Sequence, residues 1–309
     1  MECYSCITEA DNMKVVYGHT DSIYVQIDSV EAAQKAIKVI EDEVKKSFPN
    51  VLGLEQHPVS LEFEKFYSAL GVGTTKNRNA GLITWDDGTW LDEPKFTMTG
   101  FTAKRVSETK MAKEVQTRTL KMWVGEKKQE EIVASLHKTY EEIMSGKMPL
   151  DSFIKRSRLR RNRFEVKCPE CRSKFHLKDC ISMKYGACPK CASPTKNFTT
   201  IEGKKPSIGS GIAGVLYAWE KYDANFDDSY LFLKVKGIND VYTHPLTHEK
   251  RAVEFISGVE MKNFSGLVPN LEHYAEQVLK KAEPIFKAMN WDLSSIRTGR
   301  IQKTLEEWF

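Results

Sequence analysis

The sequence predicts an α+β fold in which an antiparallel sheet with one helix, up to about residue 105, precedes a mainly helical region extending to about residue 299. Three observations support this division. Before about residue 100, apolar and polar residues alternate in several short stretches, a period typical of half-buried strands. After Ser107, apolar residues recur at helical spacing within long charged segments. Two Cys-x-x-Cys pairs interrupt this second region and predict a metal-binding insertion at about residues 164–200.

The first predicted elements are a β-hairpin and a helix. Lys14 to Tyr17 precede a turn, and Ile23 to Asp28 alternate strictly between apolar and polar side chains. Ser29 stands where a helix N-cap belongs, because its hydroxyl can accept a hydrogen bond from the first helical turn. Apolar residues then recur at helical spacing, which predicts a helix to about Phe48.

A second alternating stretch runs from Val59 to Gly73. Leu61 and Phe63 share one face of the predicted strand, and Glu62 and Glu64 share the other. This pattern predicts a strand with an apolar side toward the core and a carboxylate side that could lie beside the first hairpin.

Turn signals and helical periodicity predict the remaining elements. Two further strands are predicted at Ala80–Trp85 and Lys95–Gly100, with the turn Asp86–Gly88 between them. Helices are then predicted at Ser107–Trp123, Lys128–Gly146 and Leu271–Ile285, and a late strand at Ser229–Gly237.

The composition limits the classes of protein that fit. The chain has 309 residues and a formal net charge of +4, ordinary for one or two domains. It lacks a signal-peptide pattern and any apolar run near ~20 residues, so we expect a cytosolic protein without membrane association. Seven cysteines in such a chain argue against a disulfide framework. Positive charge is concentrated in Ile154–Lys167, which holds seven Lys or Arg against one Glu.

The two cysteine pairs predict a zinc site. Cys168 and Cys171 form the first pair, Cys188 and Cys191 form the second, and 16 residues separate them. That spacing is typical of a tetrahedral four-cysteine site, since both thiolates of each pair can reach one ion. Four thiolates leave no open coordination position, so we expect a structural role. A lysine at or beside each pair can offset the negative charge of the cluster.

Other candidate ligands receive a simpler interpretation. Cys180 and His176 lie between the pairs and offer alternative ligands, but we interpret them as a buried thiol and a loop histidine. Cys3 and Cys6 also form a Cys-x-x-Cys pair, yet no second pair lies near them in sequence. We interpret that pair as a chance occurrence.

The C-terminus carries a candidate interaction motif. Leu305, Trp308 and Phe309 are spaced so that one helical turn projects three apolar side chains from one face, with Gln302 one turn earlier. A groove on another protein is the natural destination for such a surface. The layout resembles the short PIP-box peptide by which replication proteins bind a sliding clamp. The alternative is a last helical turn that packs on its own domain.

A candidate magnesium ligand lies in the first hairpin. Asp21 follows the turn at the start of the second strand, where a carboxylate is held at a sheet edge. Glu62 and Glu64 could lie nearby, and clustered carboxylates are the hard oxygen ligands that magnesium requires. The alternative is an ordinary turn residue, because aspartates are common in turns.

Two segments resemble family B DNA polymerases. VVYGHTDSIYV (Val15 to Val25) resembles the third polymerase motif of that family, Tyr-Gly-Asp-Thr-Asp-Ser in a palm hairpin. LEFEKFYSALGVGTTKNRNAGL (Leu61 to Leu82) is similar to the palm strand and Lys-Lys-x-Tyr segment that follow it. The resemblance continues to the C-terminal tail, apart from the cysteine insertion. The chain also resembles the archaeal type of the family, in particular the C-terminal small subunit of a polymerase split into two polypeptides.

The resemblance implies a domain organisation and a chemistry. Residues 1–105 correspond to the C-terminal part of the palm, 106–299 to the thumb with its zinc-ribbon insertion, and 300–309 to the clamp-binding tail. Family B enzymes transfer nucleotides with two Mg²⁺ ions. The resemblance implies that Asp21 is a direct metal ligand and that Glu62 or Glu64 contributes an auxiliary carboxylate. The alternative for the two glutamates is a solvated face of the strand.

The resemblance also implies partners. The first catalytic aspartate, the fingers and the exonuclease of the family lie N-terminal to this motif, and sixteen residues precede Tyr17 here. We therefore expect activity only with a separate large subunit that supplies them. Primer-template DNA, dNTP and a sliding clamp are the other expected partners, at the nucleoid in the cytoplasm.

The sequence departs from the family pattern at two places. His19 replaces the first motif aspartate, and an imidazole is a poorer magnesium ligand than a carboxylate. Lys76-Asn77-Arg78-Asn79 replaces Lys-Lys-x-Tyr, so Lys76 and Arg78 keep the charge for DNA phosphates while the aromatic ring is lost. The expected phosphate contacts of the thumb are Lys155, Arg156, Arg158, Arg160, Arg161 and Arg163.

Three interpretations of the chain stay open at this level. The first is the small subunit of a two-chain DNA polymerase. The second is a non-catalytic DNA- and clamp-binding module, derived from a polymerase half whose chemistry was lost at His19 and Asn79. The third is an experimental fragment.

Overall fold

A computed structural model shows a chain that divides into two compact units. The first comprises Met1–Phe101, Arg118–Ile132 and Pro284–Trp291, and the second comprises Thr102–Thr117, Val133–Glu283 and Asp292–Phe309. The structure describes residues 13–19, 22–73, 77–157, 164–181, 183, 186–206, 213–216, 218–219, 230–236, 241–243, 246, 250–252, 255–258 and 260–301.

The first unit begins with a hairpin and a helix. Strands β1 (Lys14–His19) and β2 (Ser22–Gln26) pair antiparallel, and helix α1 spans Val30–Ser47. The Ser29 hydroxyl accepts a hydrogen bond from the Ala32 N–H at 3.1 Å, so the predicted N-cap is confirmed. Apolar side chains of the hairpin and of α1 pack into one cluster, formed by Met13, Val15, Val25, Ile27, Ala36, Ile40, Val44 and Leu61.

A three-stranded antiparallel sheet completes the strand-rich part of this unit. Its order is β3-β4-β5, with β3 at Lys65–Val72, β4 at Asn79–Asp86 and β5 at Thr89–Thr99. Asp87 and Gly88 have φ of 45° and 84°, the left-handed backbone of a two-residue hairpin turn.

Side chains of the sheet pack against helical residues within the first unit. At Gly71, an added Cβ would lie 2.1 Å from the Trp123 ring, so glycine is required where the ring crosses β3. The buried residues of the apolar cluster around this contact are Ala80, Phe101, Leu120, Val124 and Ile285.

Helices of the chain follow the predicted order. Helix α2 spans Lys110–Val124, α3 spans Gln129–Met144, α5 spans Leu271–Ala288 and α6 spans Ser294–Thr298. The second unit also contains the antiparallel sheet β13-β10-β6, formed by Phe255–Gly258, Tyr230–Lys234 and Lys155–Ser157. Strands β11 (Val241–Thr243) and β12 (Lys250–Ala252) form a separate pair.

The cysteine insertion folds as a small ribbon. Its sheet has the order β8-β7-β9, with β7 at Glu165–Lys167, β8 at Lys174–His176 and β9 at Thr199–Thr200, and the short helix α4 spans Leu177–Ile181. The apolar core of the ribbon continues into the rest of the second unit, because Phe164, Val166 and Phe198 belong to the same buried cluster as Trp219 and Phe232.

The predicted hairpin, the first helix, the strands at β4, β5 and β10, and the long helices are confirmed in their described residues. The strand predicted from Val59 begins only at Lys65, although residues 61–64 keep the alternating exposure of an extended chain. Seven short strands, β6 to β9 and β11 to β13, are absent from the prediction, because two to four residues are too few to show a period. Among the described residues no helix is long and apolar enough to cross a bilayer.

Candidate functional site

The polymerase-like motif occupies the first hairpin. Its register pairs His19 with Ser22 and Gly18 with Ile23, so β1 and β2 remain paired up to the residues that flank the connection. Asp21 lies outside the described residues, and for His19 the structure describes the backbone position at the end of β1. The predicted catalytic assignment of these two residues therefore stays a prediction.

The structure brings the hairpin together with the segment that replaces Lys-Lys-x-Tyr. The Tyr17 hydroxyl accepts a hydrogen bond from the Asn77 N–H at 3.1 Å and donates one to Asn77 Oδ1 at 3.3 Å. Asn77 has a φ of 64°, a left-handed conformation that asparagine tolerates better than most residues. Tyr17 thus holds the start of the motif against the turn that carries Arg78.

The turn itself is closed by its backbone. The Gly73 N–H donates to the Arg78 carbonyl at 2.7 Å, which joins the end of β3 to the start of β4. Gly100 lies so close that an added Cβ would be 1.8 Å from the Asn77 carbonyl oxygen. Arg78 is half-buried, and Lys76 lies outside the described residues.

Tyrosines connect the hairpin to the neighbouring sheet. The rings of Tyr17 and Tyr24 have centroids 5.4 Å apart, and those of Tyr24 and Tyr67 are 6.0 Å apart. Burial, together with the charge and hydrogen bond of Tyr24, raises the pKa of Tyr67 to about 12. β3 therefore lies beside β2 through side chains, while in the described residues the two strands belong to separate sheets.

The two predicted auxiliary carboxylates precede β3. Glu62 and Glu64 are exposed, whereas Phe63 turns inward and its ring stacks on Trp85 at 4.5 Å. Glu64 forms an exposed ion pair with Lys65 at 3.3 Å. Within the described part of the chain, neither glutamate belongs to a group of ligands that could enclose a metal ion.

The basic run begins in strand β6. The Lys155 side chain is half-buried, with its ammonium 6.0 Å from the centre of the Phe232 ring, and burial lowers its pKa. Arg156, the next residue of the strand, is exposed. The other predicted phosphate contacts, Arg158, Arg160, Arg161 and Arg163, lie outside the described residues.

The four predicted zinc ligands converge. The Sγ atoms of Cys168, Cys171, Cys188 and Cys191 all lie within 4.8 Å of one another. Two of these separations are 3.6 Å, between Cys168 and Cys191, and 3.7 Å, between Cys171 and Cys188. Tetrahedral zinc with Zn–S bonds of about 2.3 Å requires sulfurs at about this spacing.

Both cysteine pairs use the same local backbone. The Cys168 N–H donates to the Ser173 carbonyl at 2.9 Å and the Arg172 N–H to the Cys168 carbonyl at 3.0 Å. In the second pair, the Cys188 N–H donates to the Ser193 carbonyl at 2.8 Å and the Ala192 N–H to the Cys188 carbonyl at 2.9 Å. Arg172 and Ala192 share a φ of 59°. The common pattern is Cys-Pro-x-Cys-x-Ser, a repeat that the cysteine spacing alone does not reveal.

The surroundings of the sulfurs lower the pKa of one thiol and raise that of another. Hydrogen bonds from Ser173 lower the pKa of Cys171 to about 6. The Ser193 backbone lowers the pKa of Cys191, but burial and the neighbouring sulfurs outweigh it and raise the value to about 12. Because the sulfurs lie close together, each thiolate that forms disfavours the next until a cation neutralises the group.

Cys180 lies apart from this group. Its side chain is 4% exposed, and burial raises the pKa of the thiol to about 12. The metal-binding group found among the described residues contains neither Cys180 nor His176. The His176 ring instead packs near Phe164 and Trp219, with centroid distances of 6.1 Å and 5.1 Å.

Residues 2–289 match the sequence model described as DNA polymerase family B. The match contains the motif hairpin, the turn bonded to Tyr17 and the four-cysteine ribbon. This chain belongs to DNA polymerase family B.

Two relatives show how much of a family B polymerase the chain spans. The DNA polymerase zeta catalytic subunit of Arabidopsis thaliana is 26% identical over 143 residues, which cover 46% of this chain and 7% of that protein. The family B DNA polymerase of the hyperthermophilic archaeon Pyrobaculum calidifontis has a similar structure, with a TM-score of 0.54 and 16% identity. That match covers 92% of this chain and 28% of the archaeal chain, so it shows a shared fold.

The family match does not reach the predicted clamp-binding residues of the tail, so their role stays a prediction. Gln302, Leu305, Trp308 and Phe309 lie outside the described residues and beyond the family match. The structure describes the helix before them: α6 ends at Thr298, and its C-cap residue Gly299 has a φ of 67°. The Ile296 carbonyl lies 3.0 Å from His137 Nδ1. The end of this helix is thus held within the second unit.

Proposed function

We propose that this chain is the small, C-terminal subunit of a two-chain, archaeal-type family B DNA polymerase. It contributes half of the palm, the DNA-gripping thumb and a clamp-binding tail, and a separate large subunit contributes the first catalytic aspartate, the fingers and the exonuclease. Its substrates are primer-template DNA and dNTP, which implies a location at the nucleoid. The observation that carries the proposal is the bonding of Tyr17, in the motif hairpin, to Asn77, in the basic turn.

Asp21 is the residue that holds magnesium in this proposal. Its carboxylate is a hard ligand, and the register His19–Ser22 keeps the flanking strand ends paired. When bound, two Mg²⁺ ions stabilise the attacking and leaving oxygens of nucleotidyl transfer. Glu62 and Glu64 are exposed and adjacent in sequence to β3, which suits an auxiliary contact and not a direct ligand. Because His19 replaces an aspartate of the family motif, this chain supplies one carboxylate fewer than the motif does.

The DNA contacts follow from the distribution of positive charge. Arg78 follows Asn77, which is bonded to the motif hairpin, and it contacts a backbone phosphate of the primer-template. Lys76, two residues earlier in the sequence, is the second phosphate contact of this proposal. In the thumb, exposed Arg156 is better placed for a phosphate than half-buried Lys155. Because such contacts read charge and not sequence, binding is non-specific and weakens with salt.

The four-cysteine ribbon binds one structural Zn²⁺. The sulfurs already converge, both pairs have the same backbone turn, and Cys168 and Cys188 are buried. Four thiolates close the coordination sphere, so the ion stabilises the ribbon and takes no part in the transfer reaction.

A second candidate function has a specific observation in its favour. Asn79, which replaces the aromatic residue of the family segment, is 6% exposed and lies between Val72 and Thr99 in the sheet. It is therefore unavailable for stacking on DNA. Together with His19, this favours a non-catalytic DNA- and clamp-binding module derived from a polymerase half.

Primer extension separates the two functions. The chain is mixed with a candidate large subunit, a primer-template, dNTP and Mg²⁺, and extension is compared with that of the large subunit alone. Extension that requires both chains supports the polymerase. DNA and clamp binding without extension, in the wild type and in His19→Asp, supports the non-catalytic module.

A further inference from the structure

The ribbon, residues 164–200, holds the net positive charge of the whole chain. It contains seven Lys or Arg against three Asp or Glu, which equals the +4 of the entire protein. The remaining residues are balanced, with 39 of each sign. A zinc ion with four thiolates carries a charge of −2, so offsetting the metal cluster uses only half of this surplus. The surplus needs another explanation.

Four described cationic side chains of the ribbon are exposed to solvent. Arg172, Lys174, Lys190 and Lys196 are exposed. Within the described residues none of the four forms an ion pair with a carboxylate. Surface cations that are not engaged by carboxylates remain available to an anionic ligand.

Two ribbon cations face each other at a cost to stability. The register of β7 and β8 places Lys167 directly opposite Lys174. Like charges in a cross-strand pair destabilise a sheet. Arg172 lies in the turn that joins these two strands, so three cations share one hairpin.

The turn of the second cysteine pair adds a further cation beside the hairpin of β7 and β8. Lys190 lies within it, and the convergence of the four sulfurs brings this turn next to the one that carries Arg172. Along the chain, the ribbon directly follows the run from Lys155 to Arg163, which contains six cations and no acidic residue. A continuous basic stretch therefore leads from strand β6 into the ribbon.

The aromatic residues of the ribbon indicate which form of nucleic acid fits. Phe164 and Phe198 are buried, and Phe175 stacks on Phe198 with ring centroids 5.5 Å apart. In the described part of the ribbon, the phenylalanine rings are thus used in packing and not offered to bases. Binding of single strands relies on exposed aromatic rings, whereas duplex backbone binding requires only positive charge.

We propose that the zinc ribbon is a second phosphate-binding surface, which holds the sugar-phosphate backbone of duplex DNA. Lys174, Lys190 and Lys196 are its main contacts, supported by Arg172. This inference rests on the proposed function, because it takes the polymerase substrate as the ligand. It assigns to the insertion a role in DNA grip in addition to the thumb contacts.

Fluorescence anisotropy with a labelled duplex tests the surface in the full chain. The triple variant Lys174→Gln, Lys190→Gln, Lys196→Gln is compared with Lys35→Gln, Lys38→Gln, Lys280→Gln, three exposed lysines outside the ribbon. Each phosphate contact contributes about 0.9 to the slope of log affinity against log salt. The ribbon variant should lower that slope by about two to three and weaken binding at least about tenfold at 0.1 M salt. The control should change neither quantity.

Folding and ligand identity are read in the same samples. Zinc per chain should equal that of the wild type, since the changed side chains are exposed. The unfolding midpoint should not fall, because Lys174→Gln also relieves the repulsion from Lys167. A wild-type chain that binds duplex, with unchanged binding by the ribbon variant, overturns this inference and leaves the proposed polymerase standing. A wild-type chain without duplex affinity overturns both. A larger loss on a single strand than on a duplex overturns the duplex assignment.

Discussion

The Tyr17 hydroxyl donates a hydrogen bond to Asn77 Oδ1 at 3.3 Å and accepts one from the Asn77 N–H at 3.1 Å. These bonds join the first residue of the polymerase-like motif to the basic turn, 60 positions away in the chain. The turn therefore depends on the hairpin for part of its backbone hydrogen bonding.

Removing the Tyr17 hydroxyl should loosen this connection. Tyr17→Phe removes both bonds and leaves the Asn77 N–H without its partner, so we expect a loss of about 1 kcal/mol in the free energy of unfolding. Asn77→Gly keeps the N–H bond and also relieves the φ of 64°, so it should cost less. Denaturant unfolding measures both variants. A greater loss for Asn77→Gly than for Tyr17→Phe would contradict the assignment.

Asp21 should be essential for primer extension by the proposed two-chain enzyme. Asp21→Ala removes the proposed direct metal ligand, so we expect a loss of roughly 10³-fold in kcat, of the order seen when a principal transition-state contact is removed. Asp28→Ala, an exposed aspartate beyond β2, is the matched control and should retain full activity. Equal extension by Asp21→Ala and wild type would show that the catalytic assignment is wrong.

Alkaline unfolding should depend on Tyr67. The folded pKa of about 12 exceeds the ordinary value of 10.0, so the folded state keeps this proton longer than the unfolded state. The contribution to stability is complete below pH 10 and is lost as the pH rises toward 12. Circular dichroism against pH should show a shallower decline for Tyr67→Phe than for wild type. Tyr140→Phe, which lies outside this tyrosine group, should leave the profile unchanged.

Zinc content should follow the four converging cysteines and ignore the fifth cysteine of the ribbon. Cys171→Ala removes a predicted ligand, so the protein should bind less than one ion per chain and the ribbon core should loosen. Cys180→Ala should keep one ion, because this thiol lies outside the group. Elemental analysis of protein purified without chelators measures both variants. Full zinc content in Cys171→Ala would refute the site.

Clamp binding should require the C-terminal apolar residues. The double variant Leu305→Ala, Trp308→Ala removes two side chains from the predicted helical face, so clamp affinity should fall at least about tenfold, as expected when buried anchor residues are truncated. Thr304→Ala lies off that face and serves as the control. Surface plasmon resonance on immobilised clamp gives the affinities. Basal extension without clamp should be the same for all three proteins.

Local patterns anticipated most secondary structure. Ser29 predicted the start of α1, and Asp86–Gly88 predicted the turn between β4 and β5, because capping and left-handed turns depend on a few adjacent residues. The β6 strand could not be anticipated, since Lys155–Ser157 gains its partner from β10, more than 70 residues later. Short strands of this kind are defined by their neighbours and not by their own period.

At the candidate site, too, local spacing predicted some features and only the tertiary structure showed others. The cysteine spacing predicted a four-sulfur group, and the structure brings those sulfurs within 4.8 Å of one another. The sequence did not predict that Tyr17 bonds Asn77, because no local period relates two residues on separate elements. Nor did it predict that Lys155 would be half-buried while Arg156 is exposed, since neighbouring cations look alike until a strand assigns them to opposite faces.

By itself, the sequence determined the α+β class, the hairpin motif, the metal-type cysteine spacing and the concentration of positive charge at residues 155–200. These properties depend on residue type and local spacing. The tertiary structure decided that Tyr17 meets Asn77, that Asn79 is enclosed by its sheet and that the ribbon core continues into Trp219 and Phe232. Such contacts join residues far apart in the chain, and they form because burying the shared apolar surface favours one arrangement of the elements over the others.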